Sequence, residues 1–167
     1  MLIAPNVTIN FKMTEIEKYT VRLDNLDLTR IINSWTWMTG VKSVVALTKA
    51  GDMLLTDSFD KLYFLNVGAG SIELVCQNYH DFFENKLDAN IIEEILIPNL
   101  VDELETRKAK LTPGQVYSYA MLPIYGGTYD VKNMGPVDLY EHYELTGTIH
   151  YKIKDLPDGT PIKVIVK

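Results

Sequence analysis

Between Val44 and Cys76 the chain reads VVALTKAGDMLLTDSFDKLYFLNVGAGSIELVC, and this stretch most restricts what the whole can become. It holds four short apolar runs, Val44 to Leu47, Met53 to Thr56, Leu62 to Leu65 and Ile72 to Cys76, with Gly or Asp between them. The gaps leave room only for tight turns, so each strand must pair with its neighbour as an antiparallel meander. Met53, Leu54 and Leu55 are consecutive apolar residues, as are Leu62 to Leu65, so in/out alternation fails. Both faces of the sheet therefore need cover, with helices on one side at least. The expected fold class is α+β, mainly an antiparallel β-meander sheet packed with helices, in a single domain over residues 1–167.

Residues 1–12 alternate weakly and suit an extra strand or an ordered arm. Thr14 with Glu17 has capping-box spacing for a helix over Glu15 to Tyr19. Asp27 precedes Leu28, Ile31, Ile32 and Trp35, an amphipathic helix with an aspartate cap that Trp35, Trp37 and Met38 end before Gly40. Beyond the meander, Asn78 caps a helix over Tyr79 to Lys86, with Phe82, Phe83 and Leu87 inward. Asn90 with Glu93 opens a longer one that buries Ile91, Ile92, Ile95, Leu96, Leu100 and Leu104. Pro98 must kink or divide it, having no amide proton to give. A strand follows over Val116 to Met121, then an irregular stretch from Leu122 to Pro136 whose paired glycines, tyrosines and prolines imply a long ordered loop. Asp138 and Glu141 open the last helix, with Leu139, Tyr143, Thr146, Ile149 and Ile153 inward and Gly147 at a close approach. A closing strand is expected over Ile162 to Val166.

The balance of 22 acidic to 16 basic residues gives a net charge of -6, which disfavours nucleic acid as a direct ligand. Arg107, Lys108 and Lys110, and Lys152 and Lys154, sit near helix ends, where cations suit the helix dipole. The one cysteine, Cys76, excludes an internal disulfide, fits a reducing compartment, and reads as a small core residue. No apolar run approaches the ~18 residues of a membrane span, and the N-terminus lacks the pattern of an export signal. A soluble, cytoplasmic protein is expected.

No recognisable catalytic set emerges. His142 and His150 are eight positions apart, two helical turns, so they cannot share one ion as an i, i+4 pair does. Neither a metal nor a cofactor is expected, and the histidines read as hydrogen-bonded helix residues. Asp138 and His142 have the spacing of an oriented base, but Asp138 is already the helix cap and no nucleophile elbow accompanies them. Gly68-Ala69-Gly70 lacks the third glycine of a dinucleotide loop and reads as a hairpin turn. Glu93, Glu94, Asp102, Glu103 and Glu105 form an acidic helix side, usually a solvated surface and less often a patch for a basic partner.

Several of these segments carry a family pattern: Trp35-Thr36-Trp37, Gly51-Asp52-Met53-Leu54, Leu62 to Gly70, Thr112 to Tyr117, Gly126-Gly127-x-Tyr129, and Glu141-His142 through Gly147-x-Ile149-His150 to Lys154-Asp155-Leu156-Pro157-Asp158-Gly159. The chain resembles the family named for the C-terminal domain of the immunity protein that neutralises a type VI secretion DNase effector, formerly a domain of unknown function. It is similar to the short stand-alone form. The resemblance implies an α+β protein without catalytic machinery that acts by binding, with a toxin or effector protein as the partner of full-length members.

A bacterial immunity-type protein that occludes a toxin is the leading expectation, with its contact surface on Tyr125, Gly126, Gly127, Tyr129 and Asp130. There, tyrosines supply rigid area and glycines let a partner's backbone approach. The equally weighted alternative is that Gly126, Gly127 and Tyr129 recur because the loop packs against the last helix. A different class of function is a small-molecule binder or enzyme with a pocket between the 122–136 loop and the last helix, using His142 and Asp138. A homo-oligomer joined through exposed tryptophans is a third.

Overall fold

The computed structural model describes residues 13–84, 86–163 and 165. The extra strand or arm considered for residues 1–12 lies outside them. Four strands, β1 (Ser43–Leu47), β2 (Met53–Thr56), β3 (Leu62–Asn66) and β4 (Ser71–Cys76), form an antiparallel sheet in the order β1-β2-β3-β4. This is the expected meander. Leu54 stands opposite Phe64 and Met53 opposite Leu65. Successive strand side chains point to opposite faces, so Leu54 and Phe64 enter one core while Met53, Leu55 and Leu65 enter another. Both faces are covered.

The first core is filled from α1 (Met13–Tyr19), α4 (His80–Phe83), α5 (Ala89–Leu96) and α6 (Pro98–Arg107), through Ile16, Phe82, Ile92 and Leu104. The second is filled from α2 (Leu28–Asn33), the start of α3 (Thr36–Thr39) and the long α7 (Leu139–Ile153), through Ile31, Trp35, Leu139 and Tyr143. Two further strands, β5 (Gln115–Tyr119) and β6 (Met134–Asp138), make a separate antiparallel ribbon. Its Val116 enters the second core and its Tyr117 the first. The amide of Tyr117 donates to the Lys49 carbonyl at 2.8 Å, which ties the ribbon to the β1–β2 turn.

Asp27 and Asp138 cap as expected. Asp27 accepts from the Arg30 amide at 3.0 Å, and Asp138 accepts from those of Tyr140 and Glu141 at 2.9 and 3.1 Å. Two other caps differ. Thr14 lies inside α1, and α5 is capped by Asp88, whose extended backbone and carboxylate bond to the Asn90 amide meet the requirement two residues earlier than Asn90 would. The buried stripe of α5 then runs through Ile92, Ile95 and Leu96, and Ile91 stands at its margin, 37% exposed. Pro98 divides the helix. Ile97 takes a left-handed conformation at φ 40° and Pro98 opens α6, where a missing N–H leaves no bond unmade.

The helix begun at Leu28 also breaks, at Ser34, and resumes as α3. Asn78 accepts from the His80 amide at 3.0 Å, but α4 stops at Phe83 rather than reaching Lys86. β5 ends at Tyr119, short of Met121. The irregular stretch is shorter than expected because Met134, Gly135 and Pro136 join β6 opposite Tyr119, Ser118 and Tyr117. A two-stranded ribbon tolerates proline on its outer edge. Residues 162, 163 and 165 are not in a strand, and 164 and 166 lie outside the described residues, so the expected closing strand is absent among the described residues.

Candidate functional site

The turns joining β1 to β2 and β3 to β4 lie at the same end of the meander, and α7 runs across that end. Two histidines, two helical turns apart, latch it there. Nε2 of His142 lies 2.8 Å from the Gly51 carbonyl, and Nε2 of His150 lies 2.9 Å from the Val67 carbonyl. A carbonyl only accepts, so both Nε2 atoms carry the proton. Nδ1 of His142 therefore accepts from the Ser118 hydroxyl at 2.7 Å. Burial lowers the pKa of His142 to about 4 and lowers that of His150, so both rings are neutral near pH 7.

Glycines make the approach possible. A Cβ on Gly51 would stand 2.6 Å from His142 Nε2, and one on Gly70 would overlap the His150 ring. One on Gly147 would stand 2.6 Å from the Ser34 carbonyl oxygen. The Trp35 indole N–H donates to the Tyr143 carbonyl at 3.2 Å, and its ring lies 5.3 Å from that of His150. Trp35 is fully buried and Trp37 half-buried with its N–H on the Ser34 carbonyl, so neither tryptophan is fully exposed.

Beside the latch is a buried acid. Asp52 is 4% exposed, and its Oδ1 accepts from the Val67 amide at 2.7 Å, which joins the two turns. Burial raises its pKa to about 7 against the opposing pull of that amide. Next to it the hydroxyls of Tyr119 and Tyr129 converge on Gly68, where a Cβ would lie 2.8 and 2.9 Å from them. Tyr119 Oη is buried with no hydrogen-bond partner among the described residues.

The loop with the expected contact residues rests on this cluster. After a 3-10 turn at Pro123–Tyr125, Gly126 takes φ 89° and Gly127 presses onto the Met121 carbonyl, leaving no space for a Cβ. Tyr129 packs edge-on against Tyr119 with centroids 5.4 Å apart, donates to Asn66 Oδ1 at 3.3 Å, and stays 45% exposed. Asp130 caps the amides of Lys132 and Asn133 at 2.8 and 3.2 Å, and the Thr128 hydroxyl chiefly holds its carboxyl below the ordinary range. Tyr125, Gly126, Gly127, Tyr129 and Asp130 thus share one loop, and Gly127 has a packing reason to be glycine.

The acid/base pair considered from spacing does not form. Asp138 bonds the first amides of α7, whereas His142 turns to Ser118 and Gly51. The acidic helix side is largely engaged: Asp102 pairs with Lys18, Glu105 with Lys49 and Glu103 with Arg107. Cys76 is half-buried at the margin of the first core, its thiol bonded to the Asn78 carbonyl and its pKa raised by burial. Among the described residues no group of three or more His, Cys, Asp or Glu could hold a metal, and no helix is long and apolar enough to cross a membrane. The histidine latches have only a weak sequence signal, since their acceptors are backbone carbonyls 91 and 83 residues away.

The class these features define is an α+β scaffold whose last helix is locked onto the turns of a four-stranded meander. Residues 76–150 carry the pattern of the family described as T6SS immunity protein Tdi1, C-terminal, which supports the sequence resemblance over that segment. No curated protein matches the chain. Among solved structures, the crystal structure of Atu4351 from Agrobacterium tumefaciens is similar, with a TM-score of 0.52 and 16% identity over 74% of this chain. The chain spans 65% of that protein's length, and at this identity the likeness concerns the fold alone.

Proposed function

We propose that the protein is an immunity-type binding protein, acting in the cytoplasm, that neutralises a cognate bacterial toxin by direct contact rather than by breaking bonds. The observation that carries this reading is the family match over residues 76–150, a segment that includes the whole 125–130 loop and most of α7. The contact surface is assigned to Tyr125, Gly126, Gly127, Tyr129 and Asp130. Tyr129 is half-exposed on a loop pinned at Gly127 and Asp130, so an aromatic contact is presented at small entropic cost.

The test is co-production with toxins encoded beside the gene, reading survival and complex formation. The wild-type chain protects and co-purifies with one of them, and Tyr129→Ala loses protection while remaining folded. A pull-down from the native cell without a protein partner, together with no protection against any neighbouring toxin, would sink the proposal. Undiminished protection by Tyr129→Ala and Asp130→Arg would move the contact elsewhere on the surface.

A further inference from the structure

A cleft of about 630 Å³ lies between β5, the Pro123–Tyr125 turn, one flank of α7 and the chain that follows α7. That volume falls within the roughly 300–1,000 Å³ of small-molecule sites. Ala120, Leu122, Ile124, Leu145, Ile149 and Ile162 supply much of its wall, and no Asp, Glu, Lys or Arg lines it among the described residues. An ion entering would leave water without meeting a counter-charge, so the occupant must be neutral.

The serine and threonine hydroxyls of the wall, which Tyr119 and Tyr125 also line, narrow the chemistry further. The Ser118 hydroxyl donates to His142 Nδ1, that of Thr146 to the His142 carbonyl at 2.6 Å, and that of Thr160 to the Pro157 carbonyl at 2.5 Å. Each of these three protons has an acceptor within the protein, so these three oxygens retain only lone pairs to offer. Ser118 is the best fixed of the three. Its acceptor His142 is itself held by Gly51, and is 3% exposed.

We propose that this cleft binds a neutral, mainly apolar small molecule bearing a hydrogen-bond donor, with Ser118 as the acceptor. This stands apart from the toxin-binding reading, and its test contains no toxin. Naphthol and its methyl ether, methoxynaphthalene, differ in the donor and are titrated by fluorescence into the whole wild-type chain and two variants. Ser118→Ala removes the acceptor. Leu145→Glu places a charge on the cleft wall at a position 62% exposed, where folding is undisturbed.

Naphthol binds the wild type about tenfold more tightly than the ether, the scale of one hydrogen bond. Ser118→Ala abolishes that preference, and Leu145→Glu weakens both ligands by about tenfold or more. Absence of saturable binding to the folded wild type overturns the proposal, as does equal affinity for the two probes. A dimer in gel filtration that Leu145→Glu splits would show a second copy covering the cleft, and would overturn it too. Should Ser118→Ala fail to fold, the probe pair on wild type and Leu145→Glu still decides.

Discussion

His142 reaches across the fold to Gly51, its Nε2 only 2.8 Å from a carbonyl 91 residues earlier in the chain. The approach depends on the missing side chain. A Cβ at Gly51 would sit 2.6 Å from the same nitrogen and 2.9 Å from the Tyr117 carbonyl oxygen, on backbone at φ 89°. Gly51→Ala is therefore expected to destabilise the protein by roughly 2–4 kcal/mol, combining left-handed strain with overpacking. Urea unfolding measures it. Because much of the cost is the clash with one ring, adding His142→Ala should cost less than the sum of the two single changes. Strict additivity would show that the ring is not what the new methyl meets.

The same end of the sheet predicts an unusual dependence on pH. Asp52 has its pKa raised from 3.8 to about 7, so between those values the native state binds a proton that the unfolded chain has released. Its contribution to stability falls as pH rises through that window. His142 has its pKa lowered from 6.5 to about 4, so the unfolded chain binds a proton that the native state refuses, and stability rises with pH over nearly the same range. The two slopes oppose one another, and His150 adds to the histidine side.

Wild-type stability should thus change less from pH 4 to 7 than either histidine or aspartate alone would make it, and single replacements should unmask each slope by a few kcal/mol. Asp52→Asn keeps an acceptor for the Val67 amide, and should lose stability relative to wild type on acidification. His142→Gln should gain relative to wild type on the same change. Denaturant midpoints across the range test this, and slopes of like sign in the two variants would refute it.

Tyr119 and Tyr129 touch at their edges but differ in what their hydroxyls do. That of Tyr119 is buried without a partner among the described residues, and burial pushes its pKa up. Removing an unsatisfied polar atom relieves a desolvation cost, so Tyr119→Phe should stabilise by about 1 kcal/mol. Tyr129→Phe gives up a long bond at a half-exposed site and should change stability by no more than ~0.5 kcal/mol. Thermal unfolding separates the two. A clear loss in Tyr119→Phe would mean that its hydroxyl is paired in solution.

The meander was legible because its signal is local: strand-length runs, tight turns and the failure of alternation all lie within 33 consecutive residues. Asp27 and Asp138 were legible as caps for the same reason. Asp88 was missed because Asn90 and Glu93 mimic a capping box, and only backbone geometry decides between adjacent candidates. β6 was missed because Gly135 and Pro136 are poor strand formers, accepted there because pairing with β5 outweighs local preference. The five loop residues were singled out as a group, whereas Ser118 and Asp52 were not, since what marks them is burial beside groups distant in sequence.

Lys49 and Glu105 link the β1–β2 turn to α6, with Nζ 2.6 Å from Oε1 and side chains only 21% and 19% exposed. An ion pair so shielded gains more from Coulomb attraction than a surface pair, but each charge has also lost much of its water. Lys49→Met should therefore cost about 1–3 kcal/mol, mostly because Glu105 is left partly buried without a counter-charge. Restoring neutrality with Glu105→Leu in the same chain should recover most of that loss, since apolar replacements of similar volume pack where the pair stood. The four proteins of this cycle, compared by urea unfolding, give the coupling directly. A coupling energy near zero would show that the pair is solvated in solution, and that α6 is held to the sheet by Val101 and Leu104 instead.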